Sequence, residues 1–142
     1  MIVGAFREVK HVQESKSKLI TEAYAAFNRR DIDSVLAVMA FDVNWPNAMD
    51  GVRLIGHDQV RAYWTRQWGI VNPRVDPVDI EEDETGHAVV HVHQVVRDLS
   101  GNVLVDHFVQ HVYTFKGHLI QRMDIREPAE KDRGKENSSE HA

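Results

Sequence analysis

The stretch that decides the fold is Val103–Arg126, which reads VLVDHFVQHVYTFKGHLIQRMDIR. Apolar and polar residues alternate over Val103–Phe115 and again over His118–Arg126. Alternation of this kind is typical of β-strands with one buried face, and the intervening Lys116–Gly117 pair is typical of a tight turn. The stretch therefore predicts a long β-hairpin.

Polar and ionisable side chains interrupt both predicted strands of this hairpin. They are Asp106, His107, Gln110, His111, Arg122 and Asp124. The remaining residues are mostly Val, Phe, Tyr, Leu and Ile, which suit a pleated surface with a buried face. Titratable groups on such strands indicate that the sheet lines a site with polar groups.

The chain before the hairpin opens with helices. Apolar residues at helical spacing predict a first helix over 16–29, and Asp31 is a good N-cap for a short second helix. A strand over Phe41–Asn47 follows, in which Pro46 marks a sheet edge or a strand end. A loop over 48–55 then leads to a third helix that ends near Trp68.

Strands dominate from residue 74 onward. A weak strand over 74–80 contains Pro77, which marks it as an edge, and a Val-rich strand covers 87–96. Helices followed by a run of strands indicate an α+β fold. We expect three N-terminal helices packed on a curved, mostly antiparallel sheet, forming a cone whose open mouth suits a small molecule.

Composition limits the classes of function. The 142 residues are enough for one domain with a core, and a net charge of −5 argues against nucleic acid as a partner. Cysteine is absent, no apolar run approaches the ~20 residues of a membrane helix, and no signal peptide is evident. We therefore expect a cytoplasmic protein with a loosely ordered arm (1–14), one domain (15–127) and a disordered polar tail (128–142).

Three phrases of the sequence resemble the NTF2-like superfamily, which includes ketosteroid isomerases, SnoaL-like polyketide cyclases and limonene epoxide hydrolases. They are AYAAFNRRDIDSVLAVMAFDVNWPN, GHDQVRAYWTRQW and HVYTFKGHLIQRMDI, and the resemblance runs from about Ser17 to Arg126. It implies a cone-shaped α+β fold. It implies chemistry only weakly, because this fold carries many functions.

The resemblance places specific residues at functional positions. The general-base position of ketosteroid isomerases falls at Asn47, which cannot abstract a proton, and Tyr24 is nearest to the tyrosine of their oxyanion pair. Their protonated aspartate on the penultimate strand corresponds to His111, which could also donate a hydrogen bond. Asp124 on the last strand is similar in position to the acid/base aspartate of the cyclases and hydrolases.

His111 and Asp124 are accordingly the predicted catalytic pair, placed across the closing hairpin. An imidazole titrates near neutral pH and can act as an acid or as a base. Structural alternatives remain open for both residues. His111 could be a half-buried strand residue bonded to a neighbour, and Asp124 could form an outward salt bridge with Arg122 or Arg126.

The predicted substrate-binding residues combine aromatic walls with polar groups. They are Trp45, Asn47, Tyr24, Tyr63, Trp64, Met123 and His107. Aromatic walls suit flat apolar ligands, although helical spacing alone would also place these aromatic residues in the core. Asn47 could orient a ligand carbonyl or hydroxyl by hydrogen bonding.

The histidines raise the question of a metal. His91 and His93 share a strand face and could form a triad with His107. No cysteine or carboxylate with supporting spacing accompanies them, so we predict no metal and no cofactor. Histidines satisfied within the sheet or at an interface are the alternative.

The leading functional hypothesis is a cofactor-independent isomerase, cyclase or hydrolase acting on a cyclic or polyketide-like small molecule. The alternative is a noncatalytic ligand-binding or dimeric scaffold module. Val-rich strands that are apolar on both faces need two coverings, whereas the helices provide one. We therefore expect a homodimer that pairs through the sheet.

Overall fold

The computed structural model describes residues 14–128, so most of the predicted arm and tail lies outside the described residues. Three helices precede or interrupt a six-stranded sheet. The helices are α1 (Glu14–Asn28), α2 (Ile32–Leu36) and α3 (His57–Trp68). The strands are β1 (Met39–Asn47), β2 (Val52–Ile55), β3 (Val71–Glu82), β4 (Ala88–Asp98), β5 (Val103–Lys116) and β6 (Leu119–Arg126).

The sheet runs in the order β2-β1-β6-β5-β4-β3. All neighbours are antiparallel except β1 and β6, which are parallel. The β5–β6 hairpin is the one predicted from alternation, and its turn contains Gly117 at φ 63°, a conformation that glycine adopts without steric cost. The predicted α+β class is therefore confirmed, with the closing hairpin near the centre of the sheet.

The predicted helices are present, with ends shifted by one or two residues. Asp31 is the N-cap of α2, and its Oδ1 accepts a hydrogen bond of 3.2 Å from the Ser34 amide. α1 buries Ile20 and Tyr24, one helical turn apart, against the sheet. The third helix follows two strands instead of preceding the sheet, so only two of the three helices are N-terminal.

The predicted loop over 48–55 is wrong, because it contains the short strand β2. Four residues are too few to give a clear alternation of apolar and polar side chains. β2 forms the edge, and Pro46, next to last in β1, pairs with Arg53. Pro46 therefore marks the end of a strand that lies inside the sheet.

The helices cover one face of the sheet, here called the inner face, and the core lies between them. Its fully buried members include Ile20, Val43, Val60, Val90, Val92 and Ile120. None of the helices within residues 14–128 has the length and apolar character needed to cross a membrane.

Asn28, the last residue of α1, clamps this helix to the exposed edge of β3. Its Nδ2 donates to the Val75 carbonyl (2.7 Å) and its Oδ1 accepts from the Val75 amide (2.9 Å). We expect Asn28→Ala to lower the free energy of unfolding by about 2 kcal/mol, because two backbone groups of the edge strand lose their partners. Urea denaturation measures this change. Asn102→Ala, in the β4–β5 turn, is the control, and an equal loss in both variants would contradict the clamp.

Candidate active site

A cavity of about 100 Å³ lies between the helices and the inner face of the sheet. Aromatic and aliphatic side chains form most of its wall, and hydroxyl, imidazole and amide groups are the polar exceptions. The wall includes Tyr24, Phe27, Trp45, Tyr63, Trp64, Gln67, Gln94, His111, Tyr113 and Met123. Such a concave, mostly apolar site with a few polar groups is typical of small-molecule binding.

Edge-to-face packing holds the aromatic part of the wall in place. The ring of Trp64 meets Trp45 at a centroid distance of 5.7 Å and Phe27 at 5.2 Å, with interplanar angles of 89° and 77°. These geometries are favourable for the ring quadrupoles. The rings of the wall therefore support one another.

A chain of hydrogen bonds joins two tyrosines to His111 at the cavity wall. The Tyr113 hydroxyl donates to the Tyr24 hydroxyl (2.8 Å), and the Tyr24 hydroxyl lies 2.7 Å from His111 Nδ1. All three side chains are buried. The two rings of Tyr24 and His111 are also stacked, with centroids 5.9 Å apart and planes inclined by 13°.

The direction of this chain assigns the tautomer of His111. Tyr24 accepts the proton of Tyr113, so its own proton has His111 Nδ1 as its acceptor. The reverse direction, from His111 Nδ1 through Tyr24 to Tyr113, would leave the buried Tyr113 proton without a partner among the described residues, which is costly. His111 therefore carries its proton on Nε2. Within residues 14–128 no side chain or backbone group hydrogen-bonds to that atom.

Burial keeps all three groups of the chain neutral. Desolvation, with a smaller contribution from His107, lowers the pKa of His111 to about 4. Desolvation also raises the pKa of Tyr24 well above its usual value and raises the pKa of Tyr113. At neutral pH the cavity therefore presents an uncharged imidazole as a hydrogen-bond donor.

The strand period and the helix position explain how this chain forms. His111 and Tyr113 are two residues apart on β5, so both point to the inner face. Tyr24 lies on the buried stripe of α1, which crosses that face. Tyr113 was not predicted as a site residue, although its spacing from His111 was a usable signal.

Asp124 does not meet His111, and the predicted pairing of these residues is wrong. Ile125 is opposite His111 in the β5–β6 ladder, whereas Asp124 is opposite Val112 and points to the outer face. There Asp124 lies 2.9 Å from Arg122 Nε, the main cause of its lowered pKa. The outward salt bridge that the sequence left open as an alternative is therefore the arrangement found.

Two predicted substrate-binding residues are not part of the cavity wall. Asn47 is buried, but its amide holds the following turn by donating to the Asp50 carboxylate and accepting from the Asp50 amide, both at 3.0 Å. His107 is exposed on β5 past the cavity and contacts Gln94. The other five, Tyr24, Trp45, Tyr63, Trp64 and Met123, lie in the wall.

The histidines His91 and His93 share the outer face, as their spacing predicts. His91 pairs with Glu81 at 2.5 Å and His93 with Asp106 at 2.7 Å, so neither joins His107 in a triad. Ligand atoms of Asp79, Glu81 and His91 do lie within 4.8 Å of one another, in an exposed position remote from the cavity. Among the described residues, the cavity wall itself contains no carboxylate.

Comparison with known proteins gives a family. A family model described as SnoaL-like domain matches residues 20–123. No curated protein matches the chain significantly.

Solved structures share the fold at low identity. An NTF2-like protein of unknown function from Burkholderia pseudomallei is 24% identical, with a TM-score of 0.71 over 82% of this chain and 92% of its own. TerC, co-crystallised with polyporic acid, is 23% identical, with a TM-score of 0.70 over 85% and 97%. An epoxide hydrolase similar to LEH from M. tuberculosis is 17% identical, with a TM-score of 0.65 over 78% and 80%. The resemblance inferred from the opening and closing phrases of the sequence is confirmed.

Proposed function

The chain belongs to the family of SnoaL-like domains, and on this premise we propose that it binds a small, largely apolar carbonyl compound and activates it. The single observation that carries the proposal is the buried Tyr113–Tyr24–His111 chain, which leaves the His111 Nε2 proton for a ligand. A carbonyl oxygen is the natural acceptor for such a proton. The apolar wall around it suits the carbon frame of the ligand.

A neutral imidazole donor favours reactions in which negative charge develops on oxygen. When a proton leaves the carbon next to a carbonyl, the oxygen becomes an enolate and its hydrogen bond strengthens. Because His111 is pre-oriented by Tyr24, no reorganisation is needed as this charge appears. We therefore propose an isomerisation or an aldol-type cyclisation without a cofactor.

The base that accepts the proton leaving carbon is a group other than His111. His111 already presents a proton to the ligand, and its lowered pKa makes it a weak base. Since the described part of the cavity wall has no carboxylate, the proton goes to a bound water or to a basic group of the substrate itself. In this proposal His111 is the electrophilic residue, and Asp124 has no part in the chemistry.

The second candidate is a noncatalytic ligand-binding module, and the missing carboxylate is the observation that favours it. The hydrogen bond from His111 would then orient a ligand without converting it to a product. A homodimer that pairs through the sheet is compatible with both candidate functions. The exposed Phe108 on the outer face supports such pairing.

Proton exchange in deuterated water distinguishes the two candidates. We expect the protein to accelerate deuterium uptake next to the carbonyl of tetralone, a flat cyclic ketone, followed by NMR. Acceleration should saturate with tetralone concentration. Saturable binding of tetralone with exchange no faster than in buffer would favour the noncatalytic module.

A further inference from the structure

A second polar group of the cavity lies at a distance from His111. Gln94 on β4 lines the wall and is half-buried. Its side-chain oxygen lies 2.9 Å from Nε2 of His107, the residue opposite it on β5. His107 itself is exposed, so this pair stands where the cavity opens toward solvent.

The contact with His107 decides which end of the Gln94 amide is available. An amide oxygen only accepts hydrogen bonds, so His107 Nε2 is the donor. The oxygen of Gln94 accepts this hydrogen bond, while its NH₂ group has no hydrogen-bond partner within residues 14–128. Gln94 therefore offers a donor to the cavity, as His111 does.

The strand register gives the backbone spacing of the two residues. His111 is opposite Val90 on β4, and Gln94 lies four residues further along that strand on the same face. Four residues of strand correspond to roughly 13 Å. The residues between them on this face, Val92 and Val109, are apolar and buried.

We propose that Gln94, held by His107, is a second anchor that selects ligands carrying a hydrogen-bond acceptor at each end of a flat apolar frame. This inference rests on the proposed binding of a carbonyl group at His111 and narrows its ligand class. Gln94 is the specificity-determining residue. His107 is a positioning residue that acts through the Gln94 amide.

A matched pair of probes tests the inference. Acetylnaphthalene carries one carbonyl, and diacetylnaphthalene carries one on each ring, at opposite ends of the same frame. Calorimetric titration of the wild-type protein is expected to show about tenfold tighter binding of the diketone. Its two equivalent ends account for about twofold of this preference.

Substitution then assigns the preference to Gln94. Gln94→Leu keeps the size of the side chain and is expected to reduce the preference to about twofold. Gln94→Glu replaces the donor by an acceptor and should do the same. Gln59→Leu is the matched control, because Gln59 is an exposed residue of α3 that does not line the cavity. It should leave the ratio of the two dissociation constants unchanged.

The positioning role of His107 is tested by the ratio of the two dissociation constants in His107→Phe. His107→Phe frees the Gln94 oxygen, so the amide can rotate, and an intermediate preference of about fourfold is expected. A purely structural role of His107 would weaken both probes equally and leave their ratio intact.

Failure of this inference can be told apart from failure of the proposed function. His111→Phe should weaken both probes and lower the preference to about twofold as well, because either ketone then has only the Gln94 donor. The exchange reaction reports catalysis alone. A wild-type protein that binds both probes equally, or neither, overturns the inference. So does a ratio that Gln94→Leu leaves unchanged.

Discussion

Replacement of His111 by phenylalanine is expected to slow deuterium exchange of the bound ketone by about 100-fold or more. The substitution keeps a flat ring but removes the Nε2 proton that would bind the developing enolate. Loss of one such donor typically costs about 10²–10³ in rate. The effect should appear mainly in kcat, because the hydrogen bond is stronger in the transition state than in the bound ketone.

Two further variants sharpen this measurement. His111→Gln retains a side-chain donor without the imidazole geometry and is expected to keep an intermediate rate. Asp124→Asn should change the rate by less than about twofold, since Asp124 lies on the outer face with Arg122. A large loss in Asp124→Asn with little loss in His111→Phe would restore the role that the sequence suggested for Asp124.

Stability is expected to fall as the pH falls from about 6.5 to about 4, with His111 as a major cause. The folded protein holds the pKa of His111 at about 4, below the usual 6.5 of the unfolded chain. Between these values the unfolded state binds a proton that the folded state excludes, so acid favours unfolding. The contribution is fully present above pH 6.5 and amounts to about 3 kcal/mol when it is completely lost.

Urea denaturation at several pH values isolates this contribution by difference. Wild-type protein and His111→Phe should differ in the slope of unfolding free energy against pH within that window. Other groups titrate in both proteins and cancel. His118→Gln, an exposed histidine in the β5–β6 turn, is the control and should keep the wild-type slope. Parallel curves for wild type and His111→Phe would contradict the burial of a neutral imidazole.

Local patterns were sufficient for most of the fold. The β5–β6 hairpin followed from alternation and a glycine turn, and α2 followed from Asp31, because both signals act within a few residues. β2 was missed because a four-residue edge strand is too short to show a local pattern of alternating apolar and polar residues. Its partner, β1, determines that it is a strand.

The site was predicted less completely than the fold. The two-residue period of a β-strand places His111 and Tyr113 on the same face of the sheet, but it does not indicate which face lines the cavity. Asp124 was therefore predicted from the acid/base aspartate of the similar families. In the structure its neighbours Met123 and Ile125 face the cavity, and Asp124 points to the opposite face. Asn47 was assigned to a ligand, while its amide is used by Asp50.

The sequence by itself determined the element types, the hairpin, the family resemblance and the identity of His111 as a candidate. Only the tertiary structure decided which face of the sheet the helices cover, and hence which side chains meet. Tyr24 and His111 are 87 residues apart in the chain. Their contact, the tautomer it imposes and the lowered pKa of His111 arise from packing α1 onto β5, and local pattern contains no information about that burial.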